Sequence, residues 1–178
     1  PGVYGRLLTA SFIRDVFPTL AGVTVPPPAW NRRLSEYSHR IESMLGVASS
    51  VRAITDVALQ PLVDLLGLTL VRRIDGNDAS SLHLTAGEQS ALLAVAAAWG
   101  EPLERMWRSS VVGAISADVR WCLCCNGQVL RLVDARRTWS RDYLEFDLVL
   151  LGREVEAQSV LWAVAHASAF AAHPSLLD

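Results

Sequence analysis

Residues 90–103 read SALLAVAAAWGEPL, and the reading of this stretch decides the fold. Eight apolar residues, Ala91 to Ala98, follow one another without a break, and no ionisable group stands between Glu88 and Glu101. A run of this length, bounded by turn formers, is short for a helix and suits a buried strand. A buried strand needs partners, and the flanking sequence supplies them. Upstream, LTLVRRI (68–74) and SLHLTA (81–86) read as strands joined across the turn DGND. Downstream, Pro102 sits where a first helical turn tolerates proline, and Leu103, Met106, Trp107 and Val111 carry an apolar stripe toward Asp118.

Beyond that helix, VRWCLCCN (119–126) and QVLRLVDA (128–135) flank Asn126-Gly127, a hairpin signature. In DYLEFDLVLL, Leu144, Phe146 and Leu148 alternate with Glu145 and Asp147, as a half-buried strand requires. A last helix is expected from about Glu154 to Phe170, with Val155, Trp162 and Ala169 on its apolar stripe. Toward the amino terminus, Trp30, Leu34, Tyr37, Ile41 and Met44 fall on one face of a helix ending near Gly46. A second helical stretch over residues 51–67 contains Pro61, which either kinks it or opens a separate last segment, and Gly67, placed as a C-terminal cap. Residues 1–29, with three prolines at 26–28, read as an N-terminal helical arm or linker. Residues 30–178 then form a single domain of α/β (mixed α+β) class, a mixed central sheet flanked by helices.

The 178 residues suffice for one ordinary core without a metal or disulfide staple. Hydrophobic residues make up 51% of the chain and the mean hydropathy is +0.27. No apolar run approaches the ~18 residues of a membrane span, so no membrane partner is expected. Arg6, Arg14 and Asp15 interrupt any signal-peptide pattern, and a cytoplasmic location is the expectation. All 16 basic residues are arginine. Chemistry that needs a lysine is therefore closed to this chain, and arginine cannot replace it as a base because its guanidinium stays protonated. The net charge of −2 provides no global attraction to nucleic acid, so any such binding has to be local.

Cys122, Cys124 and Cys125 invite a metal reading, but a tetrahedral zinc site needs a second ligand pair and none lies nearby. On a strand, Cys122 and Cys124 point to one face and Cys125 to the other, which suits buried structural thiols. His39, His83, His166 and His173 show no ligand spacing, and the chain lacks the GxSxG, GxGxxG and P-loop patterns. Arg131, Arg136, Arg137 and Arg141 with Trp139 make the one local basic cluster that suggests DNA, through phosphate contacts and base stacking. Its alternative reading is a charged hairpin edge that discourages strand pairing.

The order of segments over roughly residues 50–171 resembles the amino-terminal nuclease-like region of type IIG and related restriction–modification proteins, in which a PD-(D/E)xK endonuclease domain precedes an adenine-N6 methyltransferase. The matching residues are Trp121, Asn126-Gly127, LRLVDA, YLEFDL and Ala169-Phe170, with VALQPLVDLLGLTLV leading into the core. The resemblance implies a restriction-endonuclease-like fold, with DNA and the methyltransferase and target-recognition regions of a parent protein as partners. The family's catalytic strand has the form x-E-x-K-x-W-x-x-P-L, whose acid helps hold Mg²⁺ and whose lysine positions or deprotonates water. Aligned on Trp99, Pro102 and Leu103, this chain has Val95 in place of the acid and Ala97 in place of the lysine. A shift of one residue gives Ala96 and Ala98. Asp75 and Asp78 are the remaining candidates for a partner acid, and Glu101 for a relocated ligand. The resemblance therefore implies a catalytically silent domain of a restriction–modification or phage-defence methyltransferase, needing no cofactor, with Mg²⁺ only if the site is active. An active nuclease with relocated ligands and a pure protein-interaction module are the alternatives. No NPPY-type methyltransferase motif is present, so methylation by this chain alone is not expected.

Overall fold

The computed structural model describes residues 2–5, 7–9, 11–20, 25–87, 90–137 and 142–171. In chain order these form β1 (Val3–Gly5), short helical turns across Phe12–Thr19, α1 (Pro28–Met44), α2 (Val51–Ile54), a π-helical turn (Thr55–Leu59) and α3 (Gln60–Leu65). There follow β2 (Thr69–Asp75), β3 (Ser80–Ala86), β4 (Ser90–Ala96), α4 (Leu103–Ser116), β5 (Trp121–Cys125), β6 (Val129–Asp134) and β7 (Tyr143–Asp147). A 3₁₀ turn (Leu150–Gly152), α5 (Val155–Ala165) and α6 (Ala167–Ala171) close the described chain. The strands make one seven-stranded sheet in the order β1-β7-β6-β5-β4-β3-β2. Every neighbouring pair is antiparallel except β4 and β5, which run parallel with α4 as their crossover. The class is α/β, a mixed sheet flanked by helices.

The two faces of the sheet are covered unequally. On one face, α1 to α3, α5 and α6 bury the larger core, which takes Leu92, Ala94 and Ala96 of β4 and Leu123 and Cys125 of β5. On the other face, α4 is the one helix among the described residues that covers Leu93, Val95, Cys122 and Cys124, through Leu103, Met106, Val111 and Ala114. The alternation along β4 and β5 splits both strands between two apolar layers, which explains why β4 has no polar residue to mark a solvent face.

Local chemistry sets the boundaries. Trp30 donates its indole N–H to Leu65 O at 2.7 Å and Tyr37 its hydroxyl to Ala58 O at 3.0 Å, fixing α1 across the α2–α3 stretch. Met44, expected on the buried stripe, faces solvent, because Leu45 turns inward in an extended conformation at the helix end. Pro61 leaves the helical path unbroken: the π turn before it absorbs the missing N–H and the clash of its ring with the preceding turn. Gly67, with φ +69°, closes this stretch as expected, with Leu68 N–H bonded to Val63 O and Gly67 N–H to Asp64 O. The same closing pattern ends α4, where Asp118 takes the left-handed conformation at φ +53°.

Within residues 1–29, expected as an arm or linker, Val3–Gly5 pairs antiparallel with β7, and Ile13 and Phe17 are buried in the main core. The last helix is broken at His166, whose backbone is extended, and Val155 lies exposed while Ala157, Leu161 and Val164 face the core. Val155 occupies the first helical turn. Among the described residues no helix is long and apolar enough to cross a membrane.

Candidate functional site

The first candidate lies at the carboxyl end of β4. Register brings its parts together: Ser80 of β3 pairs with Ala96 of β4, so the β2–β3 turn at residues 76–79 reaches the point where β4 ends. There Asp78 and Glu101 line one cavity of about 400 Å³ with Asn77, Ala97, Arg105 and Ser109. Asp75 is not among its lining residues. It stands on edge strand β2 and accepts two bonds from Arg73 Nε at 2.8 and 3.0 Å, a contact that holds its carboxyl below the usual range. Glu101 pairs with Arg105 at 3.2 Å across one turn at the start of α4.

Val95 and Ala97, which stand where the resemblance puts an acid and a lysine, are both buried against α4. Ala96, in the shifted alignment, is buried against the opposite helical layer and Ala98 packs at its margin. Neither alignment places a polar side chain on the strand, so these positions do not fit a divalent cation. Among the described residues, no three His, Cys, Asp or Glu side chains gather into a ligand group.

Three residues of the basic cluster, Arg131, Arg136 and Arg137, lie among the described residues. Arg131, expected to face phosphate, is 5% exposed. It bonds Glu145 Oε2 at 2.7 and 2.8 Å and Glu104 Oε1 at 2.7 Å, and its guanidinium lies 4.1 Å from the Tyr143 ring centre. Its charge is thus taken up inside the protein, which corrects the expectation for that residue. Arg137 reaches Asp134 at 3.8 Å, and Arg136 is exposed with its backbone N–H bonded to Asp134 Oδ1. Trp139 and Arg141 lie outside the described residues.

Comparisons with known proteins add no family. The chain matches no family model, no curated protein and no solved structure.

A second candidate, which the sequence reading missed, lies where α4 passes β6 and β7. Glu104, Trp107 and Arg108 of α4 form one wall, and Arg131 and Tyr143 form the floor of a pocket of about 210 Å³. The spacing of 104, 107 and 108 was the available signal, since positions three and four apart share a helix face. Trp107, expected on the apolar stripe, is only partly buried, on the flank of the stripe defined by Leu103, Met106 and Ser110.

The cysteines take the faces their spacing predicts. Cys122 and Cys124 point toward α4 with their sulfurs 3.9 Å apart, and Cys125 lies in the opposite core. Burial pushes the Cys125 thiol up to about 12, so it stays protonated at neutral pH.

Proposed function

We propose that this chain is a catalytically silent nuclease-like domain of a restriction–modification or phage-defence DNA methyltransferase, serving DNA contact or docking to the parent protein's other regions. The observation that carries this reading is the pair Val95 and Ala97, apolar and buried where the resemblance puts a metal-binding acid and a lysine. The element order supports it: helices, a three-strand antiparallel meander, a crossover helix and a parallel fourth strand. The absence of lysine from the whole chain supports the loss of lysine-assisted chemistry whichever alignment is used. The face carrying α4 suits docking, since Val112 and Ile115 are 57% and 59% exposed there.

The test is incubation of the purified chain with supercoiled plasmid and Mg²⁺ or Mn²⁺. Neither nicking nor linearisation is expected. A second reading, an active nuclease with relocated ligands, draws on one observation, that Asp78 and Glu101 line the same cavity. Metal-dependent cleavage abolished by Glu101→Ala would establish that second reading and overturn the first.

A further inference from the structure

We propose that the pocket between α4 and the β6–β7 strands binds a single nucleotide, with its base stacked on Trp107 and its phosphate held by Arg108. The inference stands on the geometry of that pocket and not on the nuclease-like reading. Arg131 and Tyr143 supply the floor, and the guanidinium over the Tyr143 ring already occupies one face of that ring. The aromatic wall left to a ligand is Trp107. Among the described residues, the Trp107 indole N–H, the Tyr143 hydroxyl and the Arg108 guanidinium make no hydrogen bond or ion pair. Indole and guanidinium are donors only. They call for a ligand rich in acceptors.

Charge narrows the class. Glu104 and Glu145 are balanced by Arg131 and Arg108, so the site as a whole is neutral, with its exposed cation at Arg108. A cationic ligand is disfavoured by two guanidiniums on the lining. A simple anion leaves the indole unused. A flat ring carrying an anionic group uses both, and the volume of about 210 Å³, smaller than the roughly 300–1,000 Å³ of drug-sized sites, suits the base alone, with the ribose and phosphate outside it toward exposed Arg108.

Glu104 adds the edge contact. Its Oε1 accepts from Arg131, its own backbone N–H also bonds the carboxyl, and the side chain is 69% exposed, so lone pairs remain open to a ligand. The bond from Arg131 holds the carboxyl below the usual range, so it is ionised and acceptor-only at neutral pH. A phenyl ring has nothing to give it, whereas a nucleobase edge carries N–H groups. Guanine, with two adjacent N–H donors on one edge, is the best match. The same chemistry arises from a free nucleotide or from an unpaired nucleotide in a strand.

The experiment titrates the full chain with GMP, AMP, CMP, UMP and guanosine, and with single-stranded and duplex oligonucleotides containing guanine, by calorimetry. GMP is expected to bind best among the free nucleotides, and guanosine more weakly than GMP. Arg108→Gln is expected to reduce GMP binding at least fivefold and leave guanosine unchanged. Trp107→Phe is expected to weaken both, because stacking area is lost. Glu104→Gln is expected to erase the preference for guanine. A single strand binding while free GMP does not would identify a base within a strand as the source, provided Trp107→Phe weakens that binding. Absence of saturable binding by every ligand up to millimolar concentration would overturn the proposal, as would binding unaltered by Arg108→Gln and Trp107→Phe. Arg108 is exposed, so its variant keeps the fold.

Discussion

Arg131 shows how far a single residue's meaning depends on its surroundings. In sequence it is one of several arginines on a hairpin. In the structure it is buried between two carboxylates, one 14 and one 27 residues away, and no local pattern encodes either partner. Removing one member of such a group leaves the others uncompensated, and breaking a buried pair costs about 3–5 kcal/mol. Arg131→Met is therefore expected to lower stability at pH 7 by about 3 kcal/mol, near the low end of that range because Glu104 is largely solvent-exposed. The pH dependence has a defined sign. The bond from Arg131 depresses the Glu104 pKa in the folded state, so the stability it contributes is present above the ordinary value of 4.5 and is lost as pH falls through the depressed value. In urea denaturation, the deficit of the variant is expected to shrink as the pH is lowered below 4.5. A deficit independent of pH would assign the loss to packing rather than charge.

At the scale of elements, the β5–β6 turn was the most legible, and its structure explains why it is more than a turn. Asn126 Oδ1 accepts from Gln128 N–H at 3.0 Å and Val129 N–H at 2.9 Å, and its Nδ2 donates to Glu101 O at 3.0 Å. Gly127, at φ +83°, has Ile54 and Trp99 where a side chain would begin. One asparagine thus ties the hairpin to the link between β4 and α4. Asn126→Ala removes three bonds to half-buried or exposed backbone groups, which water can partly satisfy, so a loss of about 2 kcal/mol is expected from urea denaturation. A loss under about 1 kcal/mol would mean that the glycine alone sets the turn. Other elements were less legible for physical reasons. Val3–Gly5 is too short for a periodicity, and its pairing with β7 spans nearly the whole chain. Helix α5 is apolar on almost every side, so no stripe marks its buried face. The β4 residues were legible as a buried strand, but the meeting of Asp78 with Glu101 depended on the β3–β4 register, which the sequence does not state.

For the whole molecule, the unequal covering of the sheet has a consequence for how it opens. The main core draws on helices α1, α3, α5 and α6, whereas among the described residues α4 is the one helix on the second layer, and its outer side already shows Val112 and Ile115 to solvent. Local opening costs least where the fewest apolar contacts are lost, so α4 is expected to detach before the main core breaks. The cysteines report on this directly, because Cys122 and Cys124 face α4 and Cys125 faces the other core. Two double Cys→Ala variants, one keeping only Cys124 and the other only Cys125, are to be labelled with a thiol reagent below the denaturation midpoint. The rate at Cys124 is expected to exceed that at Cys125 by at least tenfold, with the two converging as global unfolding takes over. Burial keeps the Cys125 thiol protonated in the native state, so its labelling depends on exposure through unfolding. Equal rates at every denaturant concentration would show instead that both layers open as one unit and that the sheet transmits the loss of α4 to the main core.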